Sequence, residues 1–286
     1  MNTNRQTVLA CIDGSTFSRG VVDYGAWVSR VVGAPLKLLH NIEHREHSPI
    51  QDLSGNIGLG AREELLEELT RMEERCSKIL LEQGKEMLHN ASQRARAAGV
   101  AEPIMLQRHG GLAETLIDME DEIRVLVLGV RGEDREQQEH RIGNHLESVI
   151  RALHRPVLVV NRPFDSPPGR CMLAYDGSEA AGKALAMAAS SPLFKQLECH
   201  LVHVARKQES PVLDAAARVL QDAGLQVHTA SLHGDVEQLL LSYQQQQGIE
   251  LMVMGAFGHS RIRELLLGSV THHMLTKSRV PLLMLR

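Results

Sequence analysis

The sequence predicts an α/β fold made of two tandem, doubly wound domains, each built on a five-stranded parallel sheet. Three observations predict it. The phrase Asp-Gly-Ser closes an apolar run at residues 13–15 and again at residues 176–178. Behind each phrase, strand-like apolar runs alternate with helix-like stretches, which is the pattern of βαβ units with helices on both faces of a sheet. The spacing also repeats: 28 positions separate Asp13 from Asn41, and 28 separate Asp176 from Val204. At 286 residues the chain has room for two such units, each with its own core.

The elements follow in order. First strands are read at residues 7–12 and 170–175, and a helix-like stretch follows each. Second strands are the apolar runs 36–42, with His40, and 200–204, with His203. Third strands end at His109-Gly110 and His233-Gly234; fourth strands, 125–128 and 251–254, stop at Gly129 and Gly255; fifth strands are 156–160 and 281–285. The methionines of the last two runs in the second half are assigned to sheet core. Between the halves, residues 162–169 hold three prolines and a glycine, which excludes regular structure and sets the domains at 1–163 and 169–286.

The halves differ in length at one place. Asp13 to Gly129 spans 116 positions and Asp176 to Gly255 spans 79, so the first half carries 37 extra residues, between its second and third strands. The excess falls in the region from Glu43 to about Ala98, where residues 61–98 place Leu65, Leu69, Met72, Cys76, Ile79 and Leu80 at helical spacing among charged residues. The reading is a long surface helix laid on the sheet, with a partner-binding arm as the alternative. Residues 48–60 before it read as a loop.

Composition narrows the classes of function. Hydrophobic residues make up 43% of the chain but aromatic ones only 3%, so the core must be aliphatic, which suits helices on a parallel sheet. The formal net charge of -4 argues against a nucleic-acid surface. No apolar run reaches 18 residues and the N-terminus has no apolar signal region, so a cytoplasmic protein that does not engage a membrane is expected. Cys11, Cys76, Cys171 and Cys199 are separated in sequence without a Cys-x-x-Cys pair, which fits buried thiols in a reducing compartment. His40, His44 and His47 have ligand-like spacing but run from a strand into a loop, and no metal site is assigned. Adjacent His272 and His273 point to different helix faces.

The chemistry-bearing stretch is the last. A glycine directly after a strand lets backbone approach a ligand, and a helix start offers unpaired N–H groups to an anion. Here Gly255 and Gly258 are followed, after nine residues, by Gly268-Ser269 and a helix-like segment, with His259, Ser260, Arg261 and Arg263 between them. This Gly-x2-Gly-x9-Gly-Ser phrase after a strand, with the Asp-Gly-Ser phrases and the His-Val end of the second strand, resembles the nucleotide-binding pattern of the universal stress protein (UspA) superfamily. The resemblance covers nearly the whole chain, as a tandem two-domain member. It implies a Rossmann-like, adenine nucleotide alpha hydrolase-like fold with strand order 3-2-1-4-5 in each half, the halves pairing through fifth strands or neighbouring helices as an internal pseudo-dimer, with a homodimer as a further possibility and an unnamed protein partner.

The same resemblance implies roles. Asp176 would contact the nucleoside end of ATP or ADP, with or without magnesium, and Val204 would line the adenine pocket. Gly255, Gly258, Gly268 and Ser269 would surround ribose and phosphates, with Val270 and Thr271 continuing the helix start beneath them. A bland reading stands beside each: the glycines make a tight turn, and Ser15 and Ser178 cap helices. The first half departs from the pattern. Its spacer from Gly132 to Gly143 is ten residues long, Asn144 replaces the serine, residues 133–139 are acidic, and Asn41 stands where Val204 stands. A single nucleotide site in the C-terminal half is therefore expected. No catalytic set and no Walker motif is present, so weak ATP hydrolysis is the most the sequence supports. The expected function is a nucleotide-dependent stress-response sensor or adaptor; the rivals are a nucleotide-independent interaction or small-ligand protein and a slow ATPase.

Overall fold

The computed structural model describes residues 6–43, 59–132, 144–205, 212–255 and 268–286. Among these residues ten strands form one sheet: β1 (Thr7–Ile12), β2 (Leu36–Ile42), β3 (Ile104–His109), β4 (Ile123–Gly129) and β5 (Val157–Val160), then β6 (Arg170–Ala174), β7 (Glu198–Ala205), β8 (Gln226–His233), β9 (Leu251–Gly255) and β10 (Leu282–Leu285). Their order is β3-β2-β1-β4-β5-β10-β9-β6-β7-β8. Each half thus runs 3-2-1-4-5 with its strands parallel, and the halves meet where β5 and β10 pair antiparallel, Leu283 opposite Leu158.

Among the described residues eight α-helices cover the sheet: α1 (Ser18–Val32), α2 (Leu59–Ala97), α3 (Leu112–Asp118), α4 (Asn144–Ala152), α5 (Glu179–Ser190), α6 (Val212–Asp222), α7 (Val236–Gln246) and α8 (Ser269–Lys277). Strand alternation decides which face each residue serves. Val8 and Ala10 belong to the layer that holds α1, α2, α5 and α6, whereas Leu9 between them belongs to the layer that holds α3, α4, α7 and α8. The methionines at 252, 254 and 284 are buried in the second layer. The linker lies over α1: Phe164 meets Tyr24 edge-on with ring centroids 4.7 Å apart, and burial pushes the Tyr24 hydroxyl up to about 12. Asn161 donates to the carbonyls of Ser278 and Val280 at 2.8 and 3.0 Å, tying the end of β5 to the other half.

Three expectations need correction. Leu59 and Gly60, read as loop, are already helical, and the rest of that loop from 48 lies outside the described residues. The long helix is laid on the sheet only in its second half, where Gly84, Leu88, Ala91, Ser92 and Ala95 are buried. Leu69, Met72, Ile79 and Leu80 are exposed by 38, 57, 57 and 40%. The reason is length: 39 residues make a helix of roughly 58 Å at about 1.5 Å per residue, far longer than a strand of six or seven residues at about 3.3 Å each. Cys76 on the same stretch is exposed rather than a buried thiol, while Cys171 and Cys199 are buried and face one another across β6 and β7.

Candidate functional site

In the C-terminal half β7 and β8 lie on one side of β6, and β9 and β10 on the other, so connections leave the carboxyl end of β6 and β9 in opposite directions. Such a switch point opens a crevice at the carboxyl ends of the strands. Asp176 follows β6, Val204 is near the end of β7, Gly255 ends β9, and Gly268 through Thr271 begin α8, so the fold carries these seven to one edge. Gly258, His259 and Arg261, with the remainder of the spacer, lie outside the described residues.

Asp176 is exposed, and its Oδ1 accepts the Ser178 N–H at 2.9 Å across Gly177, whose φ of +77° suits a glycine. Ser178 caps α5, its Oγ accepting the Ala181 N–H at 3.1 Å. Val204 is half-buried beside Leu232 of β8. His203 packs its ring back on β6: Nδ1–H donates to the Tyr175 carbonyl at 2.8 Å, which fixes the tautomer because a carbonyl only accepts.

The two framing glycines have different surroundings. A Cβ on Gly255 would come within 2.8 Å of the Ala180 carbonyl, so the strand end lies directly against the first turn of α5. Among the described residues a Cβ on Gly268 would meet only Thr271 Oγ1, at 3.9 Å, so no described group crowds the start of α8. Gly268 is the N-cap of α8 and supplies no side-chain acceptor, and the first N–H to reach back is that of His272, to the Gly268 carbonyl at 2.9 Å. Helix geometry leaves the N–H groups of Ser269, Val270 and Thr271 without an acceptor inside the helix. Ser269 is exposed and Thr271 buried. The arrangement presents positive dipole ends and a hydroxyl, suited to an anion.

The same edge of the N-terminal half is tied into itself. Asn41 Nδ2 donates to the Gly110 carbonyl at 2.5 Å, and its Oδ1 accepts the Thr115 hydroxyl at 3.0 Å. Gly132 approaches Asp13 so closely that a Cβ would lie 2.9 Å from Oδ2, and the Arg131 guanidinium sits 5.5 Å over the Phe17 ring. The cap expected from Ser15 is not made: Ser15 Oγ is buried without a hydrogen-bond partner. α1 starts at Ser18, two residues later than that expectation required, and has no side-chain cap; Ser18 Oγ instead donates to Asp13 Oδ1 at 2.9 Å and accepts the Asp13 N–H at 3.1 Å. His40 repeats the His203 contact, Nδ1–H to the Ile12 carbonyl at 3.0 Å, while His44 and His47 lie outside the described residues. Asn144 begins α4, and the acidic spacer is likewise not described.

Sequence reasoning missed the Asn41–Thr115 bond, which joins residues 74 positions apart and leaves no local signal. It also missed a polar cluster at the amino end of β7 and β8. Glu198 accepts from Arg170 at 2.7 Å and pairs with His228 at 2.9 Å, while His200 Nδ1 meets the Tyr243 hydroxyl at 2.9 Å. The i, i+2 spacing of Glu198 and His200 was the available sign that both share one face. Among the described residues no group of three or more His, Cys, Asp or Glu side chains has metal-holding geometry. No described helix is long and apolar enough to cross a membrane.

The fold and this edge define a tandem doubly wound α/β protein with a helix N-terminus at its second switch point. The chain belongs to the Universal stress protein family, whose model matches residues 4–161 and 168–286. It is 33% identical over 287 residues to the universal stress protein Slr1230 of Synechocystis sp., covering 98% of this chain and all of that one. A crystal structure of a universal stress protein from Archaeoglobus fulgidus matches with a TM-score of 0.74 at 21% identity, covering 100% of this chain and 99% of the other. A putative universal stress protein from Pseudomonas aeruginosa matches with a TM-score of 0.61 at 16% identity, covering 98 and 93%. The two structural likenesses concern the fold.

Proposed function

We propose that this chain is a stress-response sensor or adaptor that binds one ATP or ADP, with or without magnesium, in its C-terminal half. The observation that carries the reading is the start of α8: an N-cap glycine that no described residue crowds, three N–H groups free of intrahelical acceptors, and the Ser269 hydroxyl beside them. Phosphates would sit there, Asp176 would accept from the ribose or base end, and Val204 would contribute the apolar wall of the adenine pocket. Gly258, His259 and Arg261 would close the phosphate side. Gly255 would act chiefly by letting β9 meet α5 closely, so that both loops face one crevice.

The N-terminal half serves as scaffold in this reading, the two halves forming a pseudo-dimer. Its Asn41, Asp13 and Phe17 side chains are engaged within the chain at the positions where a ligand would have to enter. Chemistry on the nucleotide is not part of the proposal; the role is a change of conformation or partner with nucleotide state, in the cytoplasm. Mass spectrometry of the small molecules released by denaturing the purified protein tests the assignment. Adenine nucleotide at close to one equivalent is expected, and a lipid or other apolar ligand in its place would favour the rival class of small-ligand protein.

A further inference from the structure

The first half of α2 is an amphipathic helix whose apolar side the described fold leaves exposed; at its far end Ile79 borders a cavity shared with Met105 and Gln107 of β3. Leu69, Met72, Cys76 and Ile79 succeed one another at steps of three, four and three, the seam spacing of a two-stranded coiled coil. All four are exposed. The seam is not a continuation of the face that lies on the sheet. By helix geometry it is rotated about a third of a turn from the line of Gly84, Leu88, Ala91 and Ala95. It also ends where the helix lands, since the next two seam positions are the exposed, polar Gln83 and Glu86. The landing is fixed by Gly84, where a Cβ would run into Gln107 and the ring of His40.

We propose that this arm is a dimerisation element whose partner is a second copy of the same chain, paired antiparallel about a two-fold axis between Leu69 and Met72. In that register each Leu69 packs on the second copy's Met72. Charge selects the orientation. The residues flanking the seam on one side are Glu68 and Arg75, both exposed. The antiparallel pairing sets each Glu68 against the second copy's Arg75, two attractive contacts related by the symmetry. A parallel pairing would set Glu68 against the second copy's Glu73, two repulsive ones. Length agrees as well. The antiparallel register overlaps residues 59–82 of both copies, roughly 36 Å at about 1.5 Å per residue, so each arm is used up just before Gly84, where its helix joins the sheet. The contact is separate from the β5–β10 junction and from the candidate nucleotide edge.

Sedimentation equilibrium of the full chain under reducing conditions tests it, with circular dichroism to confirm folding of each variant. The wild-type chain is expected to be a dimer and Met72→Glu a folded monomer. Glu68→Arg and Arg75→Glu, each placing like charges together, are expected to weaken the dimer by about tenfold or more, and the double reversal to restore it. A wild-type chain still monomeric at about 0.1 mM overturns the proposal. So does a dimer indifferent to Met72→Glu, or one that Glu68→Arg strengthens, since that result marks the parallel arrangement.

Discussion

Gly255 at the end of β9 and Ala180 in the first turn of α5 are in backbone contact so close that the glycine has no room for a side chain. Its Cβ would sit 2.8 Å from both the carbonyl carbon and oxygen of Ala180, and neither atom belongs to a flexible group that could swing away. Gly255→Ala is therefore expected to lose about 1–3 kcal/mol of stability whether or not a nucleotide is bound, because backbone must shift to admit the methyl. Thermal unfolding of the ligand-free protein measures it; an unchanged midpoint would show that the strand and helix are not locked together there.

α2 is held to α1 by a two-pronged ion pair. Arg94 Nε and Nη2 donate to Asp23 Oδ1 and Oδ2 at 2.7 and 2.6 Å, with the Asp23 side chain only 11% exposed. Arg94→Ala would leave that carboxylate buried and unpaired, at a cost of about 2 kcal/mol with water reaching the arginine side. Arg94→Lys is expected to recover less than half, since an ammonium cannot satisfy both oxygens in the same fork. Urea denaturation of the three proteins orders them; equal midpoints for wild type and Arg94→Ala would show the anchor to be ornamental.

Acid should weaken the C-terminal half through His200. Burial lowers the His200 pKa below its ordinary 6.5, opposed by Glu198 and assisted by His228 and Arg170, with the Tyr243 hydroxyl on its other nitrogen. The unfolded chain thus binds the proton more readily than the folded one, so this stabilisation is complete above about pH 6.5 and is lost as pH falls from there through the lower folded-state pKa. Glu198, held below the usual carboxylate range first by its bond from Arg170, adds a separate loss further down, under its ordinary 4.5. Urea midpoints measured from about pH 7.5 to 5.5 are expected to fall for wild type and to fall less for His200→Gln. Identical slopes would remove His200 as the cause.

What the sequence discloses here depends on whether a signal is local. Strands show as apolar runs closed by glycine, and the 28-residue interval that repeats from Asp13 and from Asp176 carries a structural consequence: it sets His40 and His203 one strand over from Ile12 and Tyr175, making the same ring-to-carbonyl bond in each half. Amphipathic spacing also locates α2, but spacing tells which side of a helix is apolar and not what covers it, so the exposure of Met72 and Ile79 emerges only with the sheet in place. The Ser15 cap failed because α1 begins two residues further on, at Ser18, whose hydroxyl binds Asp13 rather than capping the helix. At the candidate site the glycine phrase marks both Gly255 and Gly268 alike, and only packing separates a glycine pressed against Ala180 from one that no described residue crowds.

That difference makes Gly268 the sharpest place to test the central claim. Among the described residues a valine there meets no backbone, and it needs no unusual φ, so Gly268→Val is expected to fold normally while filling the space at the start of α8. Isothermal titration of the full chain with ATP and ADP should give close to one site per chain, absent in Gly268→Val; two equal sites, or no binding by the wild-type chain, would contradict the account.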